Sequence, residues 1–400
     1  MSAMRFLFSF TGGTGHFVPT AVFAKALARR GHEVLFGCQE GMVATVAAAG
    51  WLAEPTGGAS LMHDSARRPL VPVDRDAEER VMRDFFAGKA AQERAGRLNA
   101  LIGSWRPDMV VRDEVDFGAA IAAEAAGLPH AAVVVIAAGR LTRPEVTEEA
   151  LAAVRSELGL GPERANDALH RYLLLVPVPP SFRDPRWPLP GTARYVRPGV
   201  LEDVQPATNH ARPGPGAGPP PRVYLTLGTI FPQESGDLFH RALAGLSTLP
   251  VEVTVTTGAI APAELGPQPA RVHLQQFLPL AGTLARSDLV VSHGGSGTVV
   301  SSLALGLPQV ILAMGADQPD NADRCRHLGV GLDLDPFTAS PSDIAGAVAA
   351  VLHAPQYRTA AQRIADDARS LPGADHAASL LEAVARTASP ITDLGPQATA

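Results

Sequence analysis

A histidine followed by small and hydroxyl-bearing residues, His293-Gly294-Gly295-Ser296-Gly297-Thr298, directly succeeds the apolar run 289–292. Such a short apolar run suits a buried parallel strand. Glycines at its carboxyl end let backbone N–H groups approach an anion, and the following helix offers a positive N-terminus. A second strand over 309–314 opens into Gly315-Ala316-Asp317-Gln318, a polar loop beside that phosphate cradle. Together they imply a phosphorylated ligand that also carries hydroxyls.

A second group lies near the N-terminus. The strand 5–10 passes into the turn Thr11-Gly12-Gly13-Thr14-Gly15-His16, and the helix 18–30 stops at Gly31 before a strand at 33–37. This is a βαβ start of the doubly wound kind. The dinucleotide fingerprint fits it poorly: Val18 occupies the third glycine's place, and no acidic residue closes the second strand. A lone histidine such as His16 reads first as a helix cap or surface residue. At the mouth of a cleft it gains a chemical use, because a neutral imidazole with a pKa of about 6.5 can take a hydroxyl proton. A nearby carboxylate would fix its tautomer. Asp113, Glu114 and Asp116 follow the apolar strand 109–111.

The remaining elements alternate in the same way. A helical pattern runs over 76–105, a helix over 118–126, a strand over 131–136, helices near 145–158 and 163–171, and a strand over 173–176. Residues 55–72 and the start of 140–144 lack a period and read as loops. Residues 205–221, QPATNHARPGPGAGPPP, are too rich in proline and glycine to build a core and form an interdomain linker. The second half restarts with strands at 223–227, 251–256, 272–275, 289–292, 309–312 and 331–334. The division expected is a first domain over 1–204, the linker, a second domain over 222–376, a helix over 377–388 returning to the first domain, and a frayed tail over 389–400. Ligands in parallel sheets bind beyond the carboxyl ends of the strands. His16 and Asp113 obey that rule in the first half, and Thr229, His293 and Asp317 in the second.

Composition narrows the function. Four hundred residues exceed one ordinary core, and 46% hydrophobic with 18% charged residues is globular. The balance of 34 basic against 40 acidic residues gives a net charge of −6, which disfavours a nucleic-acid surface. Cys38 and Cys325 have neither metal-like spacing nor a partner framework, and two buried thiols in a reducing cytoplasm are expected. No apolar run is long enough to span a bilayer, and no signal-peptide pattern opens the chain, so a cytoplasmic protein without membrane contact is expected.

The motifs Thr14-Gly15-His16-Phe17-Val18-Pro19, RYVRPG at 194–199, Phe277-Leu278-Pro279 and HGGSGTVVSSLALGLPQVILAMGADQPDNA lie in order across nearly the whole chain. In these the sequence resembles family 1 glycosyltransferases of the GT-B fold, an α/β class with two Rossmann-like parallel-sheet domains facing a cleft. More narrowly it resembles the actinobacterial enzymes that glycosylate natural-product aglycones. The resemblance implies His16 as catalytic base and Asp113 as its partner, with Glu114 and Asp116 as neighbours able to take that place. It assigns His293 to the α-phosphate of a nucleotide sugar, and Gly294, Gly295, Ser296, Gly297 and Thr298, with Thr229, to the diphosphate. Phe277 and Leu278 would hold the base, and Asp317 and Gln318 the sugar hydroxyls. Phe17, Met62 and Phe85 are the acceptor-side candidates, with 55–75 and 137–155 shaping that pocket.

One departure from the family pattern concerns the donor. Enzymes using uridine donors commonly carry a glutamate eight residues after the phosphate histidine, bound to both ribose hydroxyls; here that position is Ser301. A thymidine nucleotide lacks the 2′-hydroxyl, so a TDP-activated deoxysugar is expected, with UDP-glucose as the alternative. No Asp-X-Asp signature follows the strands carrying His16 or His293, so metal-independent inverting transfer without a bound cofactor is expected, insensitive to chelator. The partners expected are a nucleotide-sugar donor and a hydrophobic small-molecule acceptor, with a homodimer as the commonest closed assembly. A nucleotide-sugar epimerase and a non-catalytic partner on the same fold are the competing readings.

Overall fold

Short runs of valine, leucine, isoleucine and phenylalanine between helices form two all-parallel sheets, because a crossover helix between strands returns the chain in the same direction. The computed structural model describes residues 2–57, 68–161, 163–204, 218–229 and 231–392. The first sheet contains β1 (Arg5–Ser9), β2 (Glu33–Cys38), β3 (Leu52–Pro55), β4 (Met109–Asp113), β5 (His130–Val133), β6 (Leu173–Val176) and β7 (Ala193–Tyr195). The second contains β8 (Arg222–Thr226), β9 (Glu252–Thr256), β10 (Val272–Gln275), β11 (Leu289–Ser292), β12 (Gln309–Ile311) and β13 (Gly331–Asp333). Their orders are β3-β2-β1-β4-β5-β6-β7 and β10-β9-β8-β11-β12-β13. This is the GT-B arrangement of two doubly wound α/β domains expected from the sequence.

Strand order reverses between β1 and β4 in the first sheet and between β8 and β11 in the second. There Ser9 pairs with Arg112, and Ser292 with Thr226, so the loops after these strands diverge and leave a crevice. His16 and Asp113 lie at the first crevice, and Thr229 and His293 at the second.

The central strands lie where their apolar runs predict, but β3 and β7 do not announce themselves. Both sit at the edge of the sheet or next to solvent, with no fully buried residue in either, so neither carries a continuous apolar run. The helical stretch expected over 76–105 begins at Arg75 and includes a π-helical segment at Val81–Ala90 before the α-helix Ala91–Trp105. Cys38 and Cys325 are both buried. Most of the 205–221 segment, and residues 393–400, lie outside the described residues. Among the described residues no helix is long and apolar enough to cross a membrane.

The last helix, Ala374–Thr387, packs on the first sheet rather than the second. Ala377, Ala378, Leu381 and Val384 join Phe6, Phe8, Phe23 and Leu27 in one buried cluster. At its edge Glu382 accepts from Arg30 Nη1 at 3.1 Å and meets His32 Nε2 at 2.9 Å. Leu381 is wholly buried there. Leu381→Ala is therefore expected to cost about 2–5 kcal/mol by lost burial and cavity formation, read as a lower denaturant midpoint of the first domain. An unchanged midpoint would show that this helix contributes nothing to that core.

Candidate active site

The first crevice is built around a glycine. Gly12, with φ of +119°, turns the chain out of β1, and the imidazole of His16 lies across it: a Cβ at Gly12 would come within 2.8 Å of the ring. His16 sits in the first turn of the helix Thr14–Arg29, and its side chain is 20% exposed. Its Nδ1 is 3.1 Å from Asp113 Oδ2. A carboxylate only accepts, so Nδ1 carries the proton and the lone pair resides on Nε2.

Asp113 itself is immobilised. Oδ2 also accepts from Thr11 N at 2.8 Å, and Oδ1 accepts from Val115 N and Asp116 N, both at 2.7 Å. The two neighbouring acids are occupied elsewhere. Glu114 accepts from Val135 N and Ile136 N at 2.6 and 2.5 Å. Asp116 pairs with Arg94, Nη2 to Oδ2 at 2.6 Å, and accepts from Ser9 Oγ. Of the three acids open to the role by sequence, geometry thus places Asp113 against His16.

Burial alone would lower the His16 pKa, but the charge and hydrogen bond of Asp113 outweigh it, with smaller help from Asp317 and Glu114, and the value is raised above 6.5. In Asp113→Asn the opposing burial remains and its main counterweight is gone. The His16 titration followed by NMR is therefore expected to move from above 6.5 in the wild type to a lower pH in the variant. A midpoint that stays put would remove Asp113 as the cause.

The second crevice holds His293 between two glycines. A Cβ at Gly228, where φ is +81°, would approach the ring to 2.7 Å, and one at Gly295 would come to 2.5 Å from Nε2. The Phe231 ring lies 6.1 Å away, centroid to centroid. Burial pushes the His293 pKa down to about 4, so the imidazole is neutral at neutral pH. A backbone hydrogen bond at Thr226 opposes this shift without reversing it. The helix Ser296–Ala304 starts beside His293 with no side-chain cap, leaving its first amides to a ligand or solvent.

Asp317 and Gln318 close this side. Asp317 is buried; its Oδ2 accepts from Ser296 Oγ and from Asn321 Nδ2, the latter at 2.8 Å. Gln318 Oε1 takes Met314 N at 2.7 Å and Gly315 N at 3.3 Å. Phe277 and Leu278 follow the edge strand β10, on the same carboxyl side, and Phe277 is 64% exposed.

The two crevices face each other. Thr14 Oγ1 and Thr229 Oγ1 are 3.1 Å apart across the domain boundary, and Ala137 N donates to Ser296 Oγ at 2.7 Å. Farther out, Arg324 donates to the carbonyls of Phe182 at 2.9 Å and of Ser181 and Arg183 at 3.1 Å. Arg75 joins Asp320 and Asp323 at 2.5 and 2.7 Å.

Some sequence expectations need correction. Phe17 does not line the cleft: it is 5% exposed, its ring 5.5 Å from Phe10 and 5.4 Å from Phe36 in the first core. The Ser296 hydroxyl is already engaged by Asp317, Asn321 and Ala137, so only its backbone N–H is available to a phosphate. Within 137–155, Leu141, Val146, Leu151 and Val154 are core residues, and Arg140 and Arg143 bind Glu79. Phe85 is half-buried against Phe86, and Met62 lies outside the described residues. Asn321 was not singled out, yet its spacing of four residues from Asp317 puts both on one face of the helix beginning at Gln318. Glu78 had no sequence signal; it reaches the second domain only through the fold.

The arrangement can deprotonate a hydroxyl at His16 Nε2 while neutral donors hold an anion opposite. Comparisons with known proteins give the family. Residues 240–384 match the family described as erythromycin biosynthesis protein CIII-like, C-terminal domain. The elloramycin glycosyltransferase ElmGT of Streptomyces olivaceus is 30% identical, over 94% of this chain and 97% of its own length. The 4′-demethylrebeccamycin synthase of Lentzea aerocolonigenes is 29% identical, over 94% of this chain and 99% of its own. The structure of the spinosyn rhamnosyltransferase SpnG complexed with thymidine diphosphate superposes with a TM-score of 0.76 at 24% identity, covering 95% of this chain and all of that one. With a relative 30% identical over nearly the full length of both chains, this chain belongs to the actinobacterial natural-product glycosyltransferases of the GT-B fold.

Proposed function

We propose that the protein transfers a deoxysugar from a TDP donor to a hydroxyl of a natural-product aglycone, with inversion at the anomeric carbon and His16 as general base. The observation that carries this reading is the His16–Asp113 pair, set close enough to the second domain for the charge of Asp317 to act on the imidazole, beside the Thr14–Thr229 contact between the domains. The acceptor hydroxyl gives its proton to Nε2, and its oxygen forms the new bond to the anomeric carbon. The bond from that carbon to the diphosphate oxygen breaks on the opposite side, and its electron pair leaves with the nucleoside diphosphate. Asp113 stabilises the imidazolium that results.

The charge growing on the diphosphate meets fixed dipoles. His293 is neutral, so it contributes a hydrogen bond rather than an ion pair, beside the uncapped helix N-terminus of Ser296–Ala304. Donors already in place cost no reorganisation as the bond breaks, so they favour the transition state over the ground state. Thr229, Gly294, Gly297 and Thr298 are the further diphosphate contacts we assign, Phe277 and Leu278 the base contacts, and Asp317 with Gln318 the sugar contacts. Ser301, half-buried in the same helix, offers no carboxylate to a ribose 2′-hydroxyl, which supports the thymidine donor. The thymidine diphosphate in the rhamnosyltransferase complex is in keeping with it.

His16→Ala is expected to lower kcat by about 10²–10⁴-fold, the usual share of general-base catalysis, while TDP affinity stays unchanged. A wild-type rate would remove His16 from the reaction. Because only the neutral imidazole is a base, kcat/KM is expected to fall as pH drops through the raised His16 pKa. In Asp113→Asn that acid limb shifts to lower pH and the plateau falls, since the imidazolium has lost its partner. A limb unaffected by the substitution would point to another base. Turnover measured with a TDP-deoxysugar and with UDP-glucose is expected to favour the former; a strong preference for UDP-glucose would refute the donor assignment. Donor incubated alone should stay intact, whereas an epimerase would change it.

A further inference from the structure

The turn that carries Asp317 holds a strained residue. Ala316 has φ of +52°, in the left-handed region that disfavours a residue with a Cβ. Such a conformation persists only where surrounding contacts impose it. Two adjacent amides and one carboxylate show how. Gln318 Oε1 takes Met314 N and Gly315 N, both within the second domain. From the first domain the carboxylate of Glu78 reaches the same turn, and its interaction with the Ala316 amide opposes the burial that raises the Glu78 pKa. Gly315 leaves the room for this: a Cβ there would stand 2.7 Å from Glu78 Oε1.

The short helix Arg75–Arg80 that presents Glu78 is fixed on every side. Asp74 caps it, accepting from Asp76 N and Ala77 N at 3.0 Å. Arg75 ties it to Asp320 and Asp323, on the helix that starts at Gln318, at 2.5 and 2.7 Å. Glu79, one residue beyond Glu78, binds Arg140 and also Arg143 Nη2, the latter at 2.8 Å. Glu78 is thus aimed at the turn, while Arg75 secures the domain contact and Glu79 anchors the helix within the first domain.

We propose that Glu78 is a positioning residue, which from the first domain holds the 315–318 turn in the shape that presents Asp317 to the donor sugar. The sugar half of the donor site is then complete only when the two domains are closed. The diphosphate half, built on β8 and β11, is complete in the second domain alone. This inference rests on the reading of Asp317 as a sugar contact.

The test compares Glu78→Ala, Glu78→Gln, Asp317→Ala and Glu78→Ala/Ala316→Gly, using TDP and a TDP-deoxysugar as probes. Glu78→Ala is expected to raise KM for the TDP-sugar by about tenfold, the worth of one hydrogen bond to a charged acceptor, with TDP affinity kept within about twofold. Glu78→Gln retains an acceptor and should recover most of the loss. Glycine at 316 adopts positive φ without penalty, so the double variant should also regain donor affinity. Amide exchange over 314–318 should quicken in Glu78→Ala alone. Equal weakening of TDP and TDP-sugar, or no rescue by glycine at 316, would overturn the proposal. Asp317→Ala separates the two levels. If it leaves the TDP-sugar KM unchanged, the sugar-contact reading fails; if it raises KM while Glu78→Ala does not, only the present inference fails.

Discussion

The first domain is organised by acids that it buries and must satisfy. Arg112, Asp113, Glu114 and Asp116 follow one another at the carboxyl end of β4, and all four are buried. An unpaired charge there would cost several kcal/mol, so every oxygen has to find a donor. Asp113 collects three backbone amides and His16, Glu114 two amides beyond β5, and Asp116 the Arg94 guanidinium. Arg112 in turn donates to the carbonyls of Asp113, Glu114 and Leu169. The network ties β1, β4, β5 and the long helical stretch after β3 to one point. His16 is held at that point, so its orientation is set by the same contacts that stabilise the sheet edge.

Facing this edge is one of opposite character. Around His293 the polar groups are neutral: an imidazole with its pKa depressed to about 4, backbone amides and hydroxyls. A cationic site would bind a diphosphate more strongly before reaction and hold the product afterwards. Dipoles fixed by a strand, a glycine turn and a helix N-terminus act most on charge that develops during bond breaking. Under the proposed function, the burial that neutralises His293 would also strengthen its hydrogen bond to the diphosphate.

The two edges meet through contacts of mixed kind. An apolar cluster runs from Val134, Val176 and Phe182 in the first domain to Val300, Cys325 and Ile364 in the second. Arg324 reaches over it to three carbonyls, and Asp367 accepts from Ser181 N at 3.0 Å. None of these contacts uses His16, Asp113 or His293, so the domains are held together without spending those side chains.

The sequence by itself determined the class of fold, the two-domain plan and the residues at the strand ends, because those follow from local features. Apolar runs mark strands buried on both faces, and a glycine-rich turn after such a strand serves only a few purposes. Where strands border solvent, as β3 and β7 do, no run forms and the signal vanishes. Tertiary structure decided the rest. Adjacent residues His16 and Phe17 lie only about 100° apart around one helix, yet one meets Asp113 and the other the core, and only packing tells which is which. The resemblance named Asp113 but left Glu114 and Asp116 able to take its place, until their buried partners engaged both of those elsewhere and left Asp113 against His16. Ser296 lost its hydroxyl to Asp317, and Glu78 met Ala316 across a domain boundary. Such pairings join residues far apart in the chain, so they leave no trace in local spacing and exist only once both sheets are folded and facing.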